Sequence, residues 1–231
     1  MHTGQHIRTD AGSSWFFDAG RIALDFAHTG GFTDDPDGHR SRAQLGELLA
    51  TPADLDEWLS DHTEPIDVGA TSRELQDARA LRAAIARLAV AAAPAPATTP
   101  AERTAVAAGL RAGTGRTRPA PDDIDTVNLF AALPDVPPSL PGGRRRAGAN
   151  RVRLAQALSS VARDAVALFT EVGFDDAEAD GRPTRLSRCS AADCGLVFYD
   201  SSRGGTRRWC SMQRCGNRAK VRAHRARRAG A

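Results

Sequence analysis

The stretch that decides the fold of the C-terminal part runs from Cys189 to Arg218 and reads CSAADCGLVFYDSSRGGTRRWCSMQRCGNR. It holds all four cysteines of the 231-residue chain, in two pairs whose members are each separated by four residues. Fifteen residues lie between the two pairs. A structural zinc site needs four soft ligands in a tetrahedron, and two close pairs joined by a hairpin supply them. The spacing therefore predicts one structural zinc ion held by Cys189, Cys194, Cys210 and Cys215.

Other states of these cysteines compete with a zinc site. Disulfides are disfavoured, because the polar N-terminus from Met1 to Asp10 lacks the apolar core of a secretory signal. Free buried thiols would not explain two close pairs within 27 residues and no cysteine elsewhere. An iron–sulfur cluster stays open, because four cysteines can also hold one. In either metallic case, a module this small needs its metal in order to fold.

The residues between and after the cysteine pairs predict a hairpin followed by a helix. Leu196 to Tyr199 reads as a strand, residues 200–205 as a turn, and Thr206 to Trp209 as the return strand. Residues 218–228, RAKVRAHRARR, contain neither Gly nor Pro and predict a helix. A hairpin followed by a helix, with the second cysteine pair near the helix start, is the plan of a treble-clef-like finger.

Charge is distributed unevenly along the chain, although the formal net charge is only +3. Residues 182–231 carry 13 basic and two acidic side chains, whereas the preceding 181 residues carry 18 basic and 26 acidic ones. An acidic body joined to a basic module is typical of nucleic-acid-binding proteins. We therefore expect double-stranded DNA as the partner. Its expected contacts are Arg203, Arg207, Arg208, Asn217, Arg218, Lys220, Arg222 and Arg225.

Two other partners compete with DNA for the basic module. An acidic protein surface, including the acidic body of this same chain, would attract the same arginines. Single-stranded RNA is less favoured, because exposed aromatic side chains on which bases could stack are sparse. Phe198, Tyr199 and Trp209 are the candidates, and they are equally suited to form the small core of the finger.

The N-terminal part predicts a mainly helical domain. Thr51 followed by Pro52 marks a helix start, and Thr71 with Glu74 forms a capping box at another. The longest helix is expected from about residue 150 to 172, ended by Gly173. The first long apolar stripe consists of Leu75, Ala78, Leu81, Ile85, Leu88 and Ala92. The second consists of Leu154, Ala157, Leu158, Val161, Ala165, Leu168 and Phe169.

A change in charge marks the predicted domain boundary. Residues 175–181, DDAEADG, are acidic, and the helical periodicity stops there. We predict a flexible N-terminus over 1–14, a mostly helical effector or dimerisation domain over 15–174, an acidic linker over 175–182 and a zinc finger over 183–231. The fold class is mainly α with a small β element, that is, α+β. No apolar run of eighteen residues occurs, so we expect no membrane contact and a cytoplasmic protein.

Asp25 and His28 are the one pair in the N-terminal part that suggests acid–base catalysis. They lie in Trp15 to Thr29, whose short apolar runs broken by Gly20 predict a strand or hairpin. On a helix the two side chains would share a face, whereas on a strand they would point to opposite faces. Because we predict a strand, we assign no catalytic residue and expect no enzyme. The alternative is an enzyme or small-molecule-binding protein whose finger is an accessory or protein-interaction module.

The segment Arg207 to Arg218, RRWCSMQRCGNR, resembles the signature of the CGNR zinc-finger family of bacterial proteins. The match includes the first cysteine pair, the F-x-D-x-S element that begins at Phe198, and Lys220. The L-D-F-x-N-T motif of the ABATE domain, which accompanies this finger, corresponds to residues 24–29. The resemblance implies a stress-induced transcriptional regulator whose four cysteines hold zinc and whose finger binds DNA. Such a protein would associate with the nucleoid when bound to DNA.

One position departs from the family pattern, because His28 stands where the family usually has Asn. We expect Asp25, His28 and Thr29 to contact a small-molecule effector. If His28 lines that pocket, its charge makes binding depend on pH near neutrality. A homodimer is also expected, because a second finger raises the affinity for a short DNA site.

Overall fold

A computed structural model of the chain describes residues 2–9, 12–30, 45–94, 117–138, 151–174, 184–191 and 194–229. The predicted acidic linker, residues 175–182, begins directly after residue 174 and lies outside these ranges. The described elements are helices and two small antiparallel hairpins, which confirms the predicted fold class. None of the described helices is long and apolar enough to cross a membrane.

The N-terminal part begins with a hairpin. Strand β1 (Gln5–Arg8) pairs with β2 (Ser14–Phe17), and Ile7 lies opposite Trp15. The segment predicted to be a flexible terminus therefore contains a strand whose Ile7 side chain is buried. The helices that follow are α1 (Ile22–Ala27), α2 (Pro52–His62), α3 (Ser72–Ala92), α4 (Pro121–Ala131) and α5 (Leu154–Val172).

Helices α3 and α5 supply most of the core, as the sequence predicts. Helix α3 begins with a capping box, in which Thr71 Oγ1 accepts from the Glu74 amide at 3.2 Å. The same type of box at Thr51 begins α2. Helix α5 ends at Gly173, whose φ of 62° favours glycine. Both predicted apolar stripes are buried, and α4 packs against both helices.

The prediction of a strand over residues 15–29 is right for β2 and wrong for α1. All six residues of α1 are buried, and the helix packs against α3 and α5. A helix buried on all sides shows no apolar periodicity, so the pattern alone cannot distinguish it from a strand. Its start also has no local side-chain cap. Asp164 of α5 supplies one, because its Oδ2 accepts from the Ala23 amide at 3.0 Å.

The finger contains the predicted strand, but with a different partner. Strand β4 (Val197–Tyr199) pairs with β3 (Leu186–Arg188), so the prediction that residues 206–209 form the return strand is wrong. Asp200 explains the difference, because its carboxylate accepts from the Ser202 amide at 2.9 Å and the Arg207 amide at 2.7 Å. The chain is thereby closed into a loop. A π-helical turn (Met212–Gly216) then leads into helix α6 (Asn217–Ala229).

The finger packs directly on the N-terminal part, and the two share one hydrophobic core. The Tyr199 amide donates to the Ala19 carbonyl at 2.8 Å, which brings β4 against the loop before α1. Gly20 allows this approach. Its φ is 80°, and a Cβ at this position would lie 2.4 Å from the Tyr199 carbonyl oxygen. The two parts are therefore joined by a backbone hydrogen bond as well as by apolar packing.

Candidate metal centre and nucleic-acid interface

The four cysteines come together from four short segments of the finger. Cys189 follows β3, and the Cys194 amide donates to the Ala191 carbonyl at 3.1 Å. Cys210 lies in the loop before the π-helical turn, and Cys215 lies within that turn. All four side chains are buried, and their sulfur atoms lie within 4.8 Å of one another. Two of the Sγ–Sγ distances are 3.5 Å. A tetrahedral zinc site with ordinary Zn–S bonds has sulfur atoms about 3.8 Å apart.

The cluster needs a cation for electrostatic reasons. Contact with the Cys194 side chain lowers the pKa of Cys189, whereas contact with Cys189 raises the pKa of Cys194. The Cys210 amide also donates to Cys189 Sγ at 3.4 Å, a contact that favours the thiolate. Four buried thiolates would repel one another, and a divalent cation between them offsets that repulsion. The donor set therefore fits a closed structural site.

Gly216, which directly follows the last cysteine, lies close to the side chains of Met212 and Trp209. A Cβ at this position would lie 2.6 Å from Met212 Sδ and 3.3 Å from Trp209 Cδ1. The tight π-helical turn brings Cys215 to the cluster and starts α6 in the next residue. The direction of α6 is therefore set by the cysteine cluster.

Helix α6 carries the predicted DNA contacts at their highest density. Its 13 residues include six basic side chains and no acidic one. Asn217, Lys220, Arg222 and Arg225 are exposed, and Arg218 is half-buried. Every residue from Val221 to Arg228 is exposed, so this helix has no buried face beyond its first turn.

The arginines of the finger loop differ in their surroundings. Arg203 and Arg208 are exposed, and the Arg208 guanidinium lies 5.0 Å from the Trp209 ring centroid. Arg207 instead points inward and donates to the carbonyls of Asp18 at 2.8 Å and Cys210 at 2.6 Å. A DNA contact by Arg207 stays a prediction, but its guanidinium already joins the finger to the N-terminal part. Sequence reasoning had no signal for this, because Arg207 and Arg208 are adjacent and identical.

The predicted effector residues lie in the interior. Asp25 accepts from the Gly4 amide at 2.7 Å and the Ala19 amide at 2.9 Å, and burial raises its pKa to about 7. His28 Nε2 lies 2.8 Å from the Val197 carbonyl of the finger, and burial lowers the pKa of His28 to about 4. Thr29 Oγ1 donates to the Phe26 carbonyl at 2.8 Å. Their role as effector contacts stays a prediction, while their observed contacts hold the hairpin, α1 and β4 together.

Asp25 and His28 lie on the short helix α1 and not on a strand. The helical spacing does not turn them into a catalytic pair. Asp25 accepts a hydrogen bond from the Gly4 amide next to the N-terminal hairpin, whereas His28 contacts the Val197 carbonyl of the finger.

Sequence reasoning missed a groove between β2 and α6. Its volume is about 620 Å³, and it joins residues that lie about 200 positions apart in the chain. Nothing in a local pattern could reveal it, because its two walls belong to opposite ends of the sequence. Its lining includes Trp15, Arg214, Arg218, Val221, Arg222 and Arg225.

Two family models match the chain. The CGNR zinc-finger model matches residues 185–228. The ABATE model, whose description reads "Putative stress-induced transcription regulator", matches residues 20–172. No curated protein matches the chain significantly. Together with the buried cysteine cluster, the finger match fits one structural zinc ion.

Proposed function

The chain belongs to the ABATE family and ends in a CGNR zinc finger, and from that premise we propose that it regulates transcription by binding double-stranded DNA. The observation that carries this proposal is the position of α6. A cysteine cluster suited to zinc immediately precedes a helix with six basic side chains and no acidic one. Such a helix contains no acidic side chain that could neutralise its own charge, and a polyanion offers counter-charges to an arginine-rich surface of this kind.

Binding, and not covalent chemistry, is the mechanism that we propose. Cys189, Cys194, Cys210 and Cys215 would hold the zinc ion, and the turn that contains Cys215 leads directly into α6, so the metal would help to fix where α6 begins. Exposed arginines then donate to phosphates, and Asn217 is placed to donate to a base edge. The proposed contacts are Arg203 and Arg208 of the loop, with Asn217, Arg218, Lys220, Arg222 and Arg225 of α6. Arg207 holds the finger in place.

The N-terminal part, in this proposal, senses an effector or forms a dimer. Two copies would present two fingers to a pair of half-sites, which raises both affinity and specificity. Because the finger shares a core with the N-terminal part, a change in that part can move α6. A DNA-binding role places the protein in the cytoplasm, at the nucleoid.

The test is fluorescence anisotropy with the zinc-loaded full chain and a labelled duplex of random sequence, at several salt concentrations. We expect the logarithm of the affinity to fall linearly with the logarithm of salt concentration, with a slope of about −0.9 per phosphate contact. Lys220→Gln should weaken binding and reduce the slope by about one contact. Arg73→Gln is the matched control, since Arg73 is an exposed cation on α3. A wild-type chain with full zinc and no salt-dependent binding would overturn the proposal.

A further inference from the structure

We propose that the groove between the N-terminal hairpin and α6 binds a small organic anion that carries a phosphate group, and that this ligand competes with DNA. The competition rests on the proposed function, whereas the anion site does not. The groove is formed by the beginning of β2 on one side and by the π-helical turn and α6 on the other.

One wall of the groove is a row of cations. Arg214, Arg218, Arg222 and Arg225 recur at helical spacing, so they lie along one side of the π-helical turn and α6. No acidic side chain is among the described residues that line the groove. Several guanidinium groups around one small space favour a doubly charged anion, and a phosphate group accepts from such planar forks in pairs.

Two of the residues that line the groove carry buried donors that lack an acceptor within the described ranges of the chain. Trp15 is only 7% exposed, yet its Nε1 has no hydrogen-bond partner in the part of the chain that the structure describes. The same holds for Nη1 of the half-buried Arg214, whose guanidinium lies 3.8 Å from the Trp15 ring centroid. Because both atoms can only donate, the partner that satisfies them must be an acceptor.

The ligand is small and has an organic part. A volume of about 620 Å³ lies within the range of roughly 300–1,000 Å³ that small-molecule sites occupy. Its two walls come from β2 on one side and from the π-helical turn and α6 on the other, and the space between them is open to solvent. Apolar surface also faces it, because Val221 lines the groove and is 48% exposed although it is the one large aliphatic residue of α6. An organic group next to the phosphate would cover this surface.

Regulation follows from the shared arginines. Three of the four cations that line the groove, Arg218, Arg222 and Arg225, also belong to the surface that we propose for DNA, whereas Lys220 does not line the groove. A ligand that holds Arg218, Arg222 and Arg225 withdraws them from DNA phosphates. Occupation of the groove therefore lowers DNA affinity by direct competition, with no change of fold required.

The experiment is isothermal titration calorimetry of the zinc-loaded full chain with adenosine monophosphate and, separately, with inorganic phosphate, at constant ionic strength. We expect saturable binding of the nucleotide, weaker binding of inorganic phosphate, and a loss of about tenfold in nucleotide affinity for Arg214→Gln. Trp15→Phe keeps an aromatic side chain but removes the Nε1 donor, so it should lose affinity by a smaller factor. Lys220→Gln is the matched control on the same helix and should bind the nucleotide like the wild type.

Zinc stoichiometry and thermal melting of each variant show whether it is folded. Nucleotide binding that is absent, that does not exceed binding of inorganic phosphate, or that ignores both groove variants would overturn the site. Displacement of labelled duplex by the nucleotide, beyond that by potassium chloride of equal ionic strength, supports the competition. If the wild type binds the nucleotide in this variant-sensitive way but binds no DNA, the site stands and the proposed function fails.

Discussion

The helical part and the finger of this protein are stabilised by different means. In the helical part, α3 and α5 bury two complete apolar stripes, and α1 lies between them with all of its residues buried. The finger has few large apolar side chains in its core, chiefly Leu186, Leu196, Val197 and Phe198. Its remaining interior is the cysteine cluster. The comparison teaches that a metal replaces a core where the segment is too short to build one.

The finger also depends on the helical part. His28 contacts the β4 backbone, and Arg207 donates to the Asp18 carbonyl. Because Gly20 has no Cβ, the Tyr199 carbonyl can approach it closely. The finger is thus held from two sides, by its metal and by the surface on which it packs. Removing the metal or disturbing the packing surface should show how much each contributes to the stability of the finger.

Metal removal should have the largest effect, and it tests directly whether the finger and the helical part are stabilised by different means. A structural zinc ion contributes about 10 kcal/mol or more to the folding of such a module, so chelation should unfold the finger and leave the helical part folded. Hydrogen exchange should show loss of protection over residues 186–229 and retention in α3 and α5. Cys210→Ser should give the same pattern without a chelator. Full protection of β3 and β4 in metal-free protein would contradict the metal-dependent fold.

Truncation of the helical core should give the opposite pattern. Leu81 is fully buried in α3, so Leu81→Ala should destabilise the chain by about 3 kcal/mol. Zinc stoichiometry should stay at one per chain, since Leu81 lies outside the finger. Urea unfolding and metal analysis measure the two quantities. A loss of zinc in this variant would mean that the two parts do not differ in the way described here.

The junction can be tested at Gly20. Gly20→Ala forces a Cβ against the Tyr199 carbonyl at positive φ, so we expect a destabilisation of about 2 kcal/mol. Gly12→Ala is the matched control, because Gly12 has a φ of 81° but nothing within 4 Å of its Cβ position. The difference between the two variants in urea unfolding isolates the contact between finger and helical part. Equal losses would show that the backbone conformation alone matters.

The smallest expected effect is a pH dependence at the same junction. The pKa of His28 is lowered to about 4 in the fold, against about 6.5 in an unfolded chain. The unfolded state therefore binds more protons in this window, so the His28 contribution makes stability fall as pH falls from about 6.5 towards 4. Asp25 acts with the opposite sign, because its folded pKa is raised to about 7 and its contribution makes stability fall as pH rises from about 4 to 7.

The two slopes oppose each other in the wild type, and a single substitution should expose one of them. In His28→Asn, the slope from Asp25 should remain, approaching roughly −1.4 kcal/mol per pH unit. Urea unfolding of the zinc-loaded variant and wild type between pH 4.5 and 7 measures this. Identical pH profiles for the two proteins would show that His28 is not buried neutral at the junction.

Part of the candidate site could be predicted because its signals are local. The two cysteine pairs identify the metal ligands by spacing, and the caps at Thr51 and Thr71 identify helix starts. The groove and the inward direction of Arg207 could not be predicted, because both depend on which distant segments meet. A buried environment also hides periodicity, which is why α1 was predicted as a strand.

By itself, the sequence determined the four cysteines that fit a zinc site, the two apolar stripes of the helical part and the concentration of positive charge in α6. Each of these follows from residue types at fixed spacing along the chain. Such local signals do not depend on how distant segments pack against one another. Only the tertiary structure decided that β4 pairs with β3, that Asp164 caps α1, and that Trp15 faces Arg214. Those choices are made by packing and hydrogen bonds between distant segments, whose partners no local pattern specifies.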